Sequence, residues 1–330
     1  INEYDYSTKV IILILGISSI PNSFGIFILN NFKIVNRFNK EAQGYLIQGF
    51  ALIICLLLME AMSINNLLFY ALALLLSRLL FFFFGIYCFL NTKYFTLIAT
   101  NFRDILMSLN TSLPYAVHLI LGSLIIYIDT FILSYLTDLY NVGLYQSGMR
   151  IIMSSLLISV IITDAFIPEI SRNFSQRKMV TKKLAILSDF ILIFTLLIAI
   201  TLLFYQKSII LILFSVEHLL LQNYMLYIIL IITLRYIGIV PGIILTSGNK
   251  QKIRANAVLL SILCSISLNF ILIPLLGIKG AFISSLISHI ILNSIYLFYT
   301  LKEVKFYNDI SFPFIFSMVA VLLTINIVFF

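Results

Sequence analysis

The sequence predicts an all-α polytopic membrane protein, and three observations predict it. Hydrophobic residues make up 62% of the chain and charged residues 10%, against roughly 45–50% and about 25% in soluble domains. Apolar runs of about 20 residues, enough to cross roughly 30 Å of hydrocarbon as a helix, recur along its whole length. Those runs are continuous and rich in Leu, Ile and Phe, without the alternation that marks barrel strands.

Ten spans follow in order. The first, about 10–29, carries Pro21 in its second half, where a membrane helix tolerates a kink. The second, 44–64, holds Glu60 near one end, and the Phe-rich third, 67–90, holds Arg78 at mid-depth. The fourth, 114–136, contains Asp129, and the fifth, 143–167, contains Arg150 and, near its end, Asp164. The sixth is 184–205. The seventh, 222–245, combines Arg235 with Pro241; the eighth, 255–276, holds Pro274; the ninth, 278–301, holds His289; the tenth is 311–330. Cys55, Cys88 and Cys264 all fall inside apolar runs without paired spacing, which reads as packing rather than disulfides or metal ligation.

The net charge of +8 is explained by where the bases fall. Alternate connections (30–43, 91–113, 168–183, 246–254 and 302–310) carry 15 of the 21 Lys and Arg; the opposite connections carry Lys9, Lys207 and Lys279; and Arg78, Arg150 and Arg235 lie within spans. This alternation is the positive-inside pattern, so the basic connections are expected on the cytoplasmic side and residue 1 outside. Such an N-terminus fits a chain preceded by an odd number of further helices, and the apolar ending "INIVFF" fits a chain that continues. The basic charge therefore points to a membrane and not to nucleic acid.

Spans one to three resemble spans seven to nine: each triplet has a proline in its first helix (Pro21, Pro241), then an Asn-Lys connection ("FNKEAQGYLIQG", "GNKQKIRANAVLL"), then a helix with one titratable group (Arg78, His289). Both triplets run in the same direction, which predicts a parallel pseudo-repeat. The expected organisation is a remainder of an N-terminal bundle over 1–95, a cytoplasmic linker with an amphipathic segment over 96–113, a six-helix bundle over 114–301 and an additional helix over 311–330.

No connection is long enough for a soluble catalytic domain, and GxxxxGK[ST], HExxH and paired CxxC are absent, so no enzyme, cofactor or metal centre is expected. The ionisable residues inside spans are the candidates for function. Asp129 and Arg150, each about seven residues from the same side, are placed to pair across a hairpin as a clip, or to face a water-filled cavity. Arg78 and Arg235 lie too deep to snorkel and keep their charge, so each needs an acid, a carbonyl cluster or an aqueous cavity. Several such cations around a cavity suit an anionic cargo. His289 and Asp164 are candidates for coupling or proton relay, although a packing histidine and a solvated helix-end carboxylate are the commoner roles.

The run "YIDTFILSYLTDLYNVGLYQSGMRI", followed a helix later by "DAFIPEISR", resembles the start of the second half of the polysaccharide-exporter branch of the multidrug/oligosaccharidyl-lipid/polysaccharide superfamily. "LIPLLGIKGAFISSLISHII" is similar to a hairpin of that family's second half. The resemblance covers essentially the whole chain; Asp129 and Arg150 match its motif positions, while Arg78 and Arg235 are singled out by depth alone. It implies two bundles around a central cavity in a bacterial inner membrane. It also implies alternating-access flipping of an undecaprenyl-diphosphate-linked repeat unit of O-antigen, capsule or exopolysaccharide. The partners it implies are that lipid-linked glycan, the bilayer, a polysaccharide polymerase and a chain-length regulator. A cation-coupled drug exporter and a peptidoglycan-precursor flippase would share the fold; an intramembrane polymerase or glycosyltransferase would need a larger loop.

Overall fold

A computed structural model describes residues 5–34, 37–64, 66–92 and 101–303. Among them the chain is all-α and polytopic: nine segments are long and apolar enough to cross a membrane, from Tyr6–Phe32 to Ile278–Leu301. The expected span 311–330 lies outside the described residues, as do 96–100 of the linker. The described chain divides into two compact units on either side of the Asn101–Phe102 boundary.

The first unit comprises α1 (Tyr6–Ile34), α2 (Phe38–Ala61) and α3 (Leu67–Leu90). Lipid supplies no hydrophobic drive between membrane helices, so close approach and interhelical hydrogen bonds hold them. Both occur here. Gly25 of α1 sits so close to Phe81 of α3 that a Cβ would lie 2.5 Å from the ring. Gln48 Nε2 of α2 donates to Asn22 Oδ1 of α1 at 3.2 Å. The large apolar side chains on the outer faces, such as Phe27, Leu57 and Phe83, are exposed, as lipid-facing residues should be.

The second unit begins with α4 (Phe102–Leu136), then α5 (Leu139–Ser155), α6 (Leu157–Arg172), α7 (Arg177–Leu213), a 3-10 segment Val216–Tyr224, α8 (Met225–Ile237), α9 (Ile239–Ser247), α10 (Gln251–Leu276) and α11 (Ile278–Glu303). The amphipathic stretch expected before span four is continuous with it: residues 102–113 are the first turns of a single 35-residue helix. Span four buries Ile125, Asp129, Ile132 and Leu133, a stripe at helical spacing.

Besides α7, which kinks at Tyr205 (φ −110°, ψ 16°), two described spans are divided into separate helices. The fifth divides at Leu156 into α5 and α6, where Tyr236 Oη donates to Ser155 O at 2.6 Å. A side chain inserted at a helix carbonyl is one of the few causes of a sharp bend. The seventh divides at Gly238 into α8 and α9. Pro241 explains the second break, because it has no N–H for Ile237 O and its ring crowds that carbonyl. The two broken spans pack side by side, α5 against α8 and α6 against α9.

The α10–α11 hairpin turns on glycines. Gly277 has φ +57°, a conformation that L side chains rarely adopt. Gly280 lies against the α10 backbone, where a Cβ would be 2.3 Å from Leu272 O. Residue type and register are thereby fixed at the turn that brings the polar faces of α10 and α11 together.

Candidate functional site

Two polar centres occupy the second unit, and each holds one sign of charge. The first is built around Asp129 of α4, which is 1% exposed. Three neutral donors reach its carboxylate. Asn269 Nδ2 of α10 donates to Oδ1 at 2.6 Å, Ser265 Oγ of α10 donates to the same oxygen, and Tyr145 Oη of α5 donates to Oδ2 at 3.2 Å. Ser265 and Asn269 are one turn apart on α10, and Asn269 Nδ2 also reaches Ser265 Oγ at 3.1 Å. Around the cluster, Tyr145 packs against Phe282 of α11 with ring centroids 4.8 Å apart. The carboxylate thus ties α4, α5 and α10 at one level.

The expected Asp129–Arg150 pair does not form. Arg150 is exposed and lines a separate pocket with Gln146, Met149, Met153, Ile126 and Tyr127. The reason is register. Asp138 caps α5, its Oδ1 accepting from Asn141 N at 2.8 Å, so the helix starts at Leu139 rather than Gly143. Four extra residues put Arg150 about 6 Å deeper than Asp129's level. The residues that meet across the hairpin are Tyr145 with Asp129 and Gln146 with Thr130, the latter at 2.6 Å.

The second centre is a cavity of about 280 Å³ beside the α8–α9 break. Arg235, at the end of α8, opens into it together with Arg254 from the first turn of α10, His118 from α4 and His289, Asn293 and Tyr296 from α11. None of the described lining residues is Asp or Glu. Arg235 is half-buried, and its Nη1 points at Met153 Sδ, 4.0 Å away, a weak acceptor. Asn293 Nδ2 donates to Leu234 O at 2.6 Å, the carbonyl that also takes Gly238 N at 3.1 Å across the break. Gly238 makes that approach feasible, since a Cβ there would meet Asn293 Oδ1 at 2.5 Å. Asn293 thus pins α11 to the residue preceding Arg235.

Arg254 Nη1 donates to Thr246 Oγ1 of α9, and its guanidinium lies 5.7 Å from the Tyr296 ring centroid, in cation–π range. Its Nε and His118 Nδ1 are buried without hydrogen-bond partners among the described residues. His289 is buried in the same wall. Among the described residues the cavity wall is rich in donors and holds no acid, a lining suited to an anion.

Of the residues singled out in the sequence, Arg235 and His289 therefore share one cavity, Asp129 sits in its own cluster and Arg150 faces outward. Asp164 of α6 is exposed and does not line the cavity, although its neighbour Thr163 does. Arg78 belongs to the first unit, where it is half-buried and donates from Nη1 to Ser18 Oγ at 2.6 Å; Ser18 in turn donates to Leu15 O. Sequence reasoning missed Arg254, which it counted among connection bases, and the Asp129 partners. A usable signal existed: Ser261, Ser265 and Asn269, and again His289, Asn293 and Tyr296, recur at helical spacing within apolar spans. Among the described residues no group of three or more His, Cys, Asp and Glu converges as a metal site would require. No protein-family model matches the chain, and no curated protein matches it.

Proposed function

We propose that this multi-pass membrane protein is a carrier, not a catalyst, and that it flips a polyprenyl-diphosphate-linked oligosaccharide across a bacterial inner membrane by alternating access. The observation that carries the reading is Arg235: a permanent cation in a membrane-spanning segment, facing a cavity whose described lining holds a second Arg, two His and no acid. Keeping such a group in a membrane is costly, and its usual role is to meet a substrate or ion. A carrier of cationic drugs would want carboxylates in the cavity wall, so the lining favours an anionic cargo over that alternative.

On this reading the diphosphate is held by arginine hydrogen bonds, the polyprenyl tail stays in lipid and the sugars follow the head. The basic connections lie on the cytoplasmic side, which puts the cavity, beside the start of α10, in the half of the span from which a cytoplasmically made substrate enters. The breaks at Leu156 and Gly238 lie on packed neighbouring spans and give the second unit paired bending points. A polymerase and a chain-length regulator then act on the delivered repeat unit.

The test is complementation. A strain lacking its repeat-unit flippase should recover surface polysaccharide with the wild-type chain and fail with Arg78→Gln/Arg235→Gln at equal membrane abundance. Full surface polysaccharide in the double variant would refute the assigned role. Drug sensitivity with normal glycan in a deletion strain would shift the reading to drug export.

A further inference from the structure

Helix α10 begins at the arginine cavity and ends at a different one. The second opening, of about 580 Å³, forms where three segments meet: α7 just past its kink at Tyr205, the 3-10 segment as it runs into α8, and the α10–α11 turn. Its volume lies within the range of small-ligand pockets, roughly 300–1,000 Å³. The connections at this end of the second unit carry Lys207 and Lys279 as their bases, which the positive-inside pattern places outside.

The lining has a particular chemistry. Gln206, Gln222 and Asn223 supply three carboxamides, each a donor and an acceptor at once. Among the described residues no side-chain hydrogen bond occupies any of the three. Tyr224 and Tyr227 supply two rings, and exposed Lys279 is the one charged residue in the described lining. Its Nζ lies 6.0 Å from the Tyr227 ring centroid, at the outer edge of cation–π range. Sugar hydroxyls also donate and accept at once, so carboxamides match them, and the C–H face of a sugar ring suits the negative face of an aromatic one. A phosphate or carboxylate would call for an arginine fork instead.

The walls are held in place before anything binds. Tyr224 stacks on Phe282 with centroids 5.6 Å apart, Phe282 packs against Tyr145 at 4.8 Å, and Tyr145 is tied to Asp129. Gly277 and Gly280 fix the turn that carries Lys279. Walls ordered in advance lose less freedom on binding.

We infer that the pocket between α7, the 3-10 segment and the α10–α11 turn is a saccharide-binding site, separate from the arginine cavity. The carboxamides of Gln206, Gln222 and Asn223 hydrogen-bond the hydroxyls, the Tyr227 ring carries a sugar face, and Lys279 swings from that ring to a hydroxyl. The inference rests on the export reading only for the source of the sugar, which would be held here after crossing.

The experiment presents the full chain, in zwitterionic phosphatidylcholine nanodiscs, with a panel of bacterial repeat-unit oligosaccharides freed of lipid and phosphate. Saturable binding of at least one is expected, weakened about tenfold in Tyr227→Ala and about threefold or more in Gln222→Leu. To keep the test independent of variant folding, the wild-type chain is acetylated with and without that oligosaccharide. The sugar should lower modification of Lys279 by about fivefold while leaving the exposed Lys9 and Lys252 unchanged. Absence of saturable binding across the panel, full binding in both variants, or no protection of Lys279 would overturn the site. Displacement of the sugar by short-chain phosphatidylglycerol would assign the pocket to a lipid headgroup and overturn it too. Saccharide binding by a chain that flips nothing sinks the export reading and leaves the site standing; flipping without saccharide binding does the reverse.

Discussion

Asp129 and Arg235 are both ionisable side chains within membrane-spanning segments of the same bundle, yet their surroundings differ in kind. Asp129 is sealed, and three neutral donors from α5 and α10 converge on its two oxygens. Arg235 is half-buried beside a cavity, and among the described residues its guanidinium meets a thioether at 4.0 Å and no stronger acceptor. The acid is satisfied by its own fold; the base is not. A charged group whose hydrogen bonds are met internally ties helices together, whereas one left with unmet donors is available to something that arrives from outside.

The comparison breaks most visibly at Asp129. Asp129→Ala strands the donors of Ser265, Asn269 and Tyr145 in a sealed cluster, and should cost about 2–4 kcal/mol; thermal unfolding in detergent would show it as a large fall in Tm and in folded yield. Gly280→Ala tests the turn that aligns α10 with α11. A Cβ 2.3 Å from Leu272 O has no flexible neighbour to displace, so a loss of about 1–3 kcal/mol is expected in the same assay. Asn293→Leu sharpens the cavity side: it removes the donor to Leu234 O beside Arg235 and should cost about 1 kcal/mol, while lowering flipping activity more than Tm. Tyr236→Phe removes the hydroxyl at the Leu156 break and should show the smallest change, about 0.5–1 kcal/mol.

The spans were legible because length and composition carry them: each of the nine described segments overlaps a run readable as an apolar stretch of about 20 residues. The position of α5 was not, since "TDLYNVG" suggests a turn by its Asn and Gly, while the structure uses Asp138 as a cap and begins the helix at Leu139. That shift of four residues dissolves the Asp129–Arg150 pair. The break at Gly238 could be anticipated from Pro241; the one at Leu156 has no Pro or Gly to announce it, because its partner, Tyr236, lies 81 residues away. Arg254 looked like another connection base beside Lys250 and Lys252, and only the start of α10 at Gln251 turns it toward the cavity. Depth along a helix is readable from sequence; the direction in which a side chain faces depends on helix starts and tertiary partners.

The most direct test reconstitutes the chain into proteoliposomes and follows translocation of a fluorescent polyprenyl-diphosphate-linked saccharide alongside thermal stability for Arg235→Gln. The account predicts that translocation falls about a hundredfold or more, from the loss of charge-assisted bonds to the diphosphate, while Tm stays at or above that of the wild-type chain, because no acid among the described residues loses its partner. A variant that unfolds at lower temperature yet still translocates at the wild-type rate would contradict it, and would make Arg235 a structural residue like Asp129.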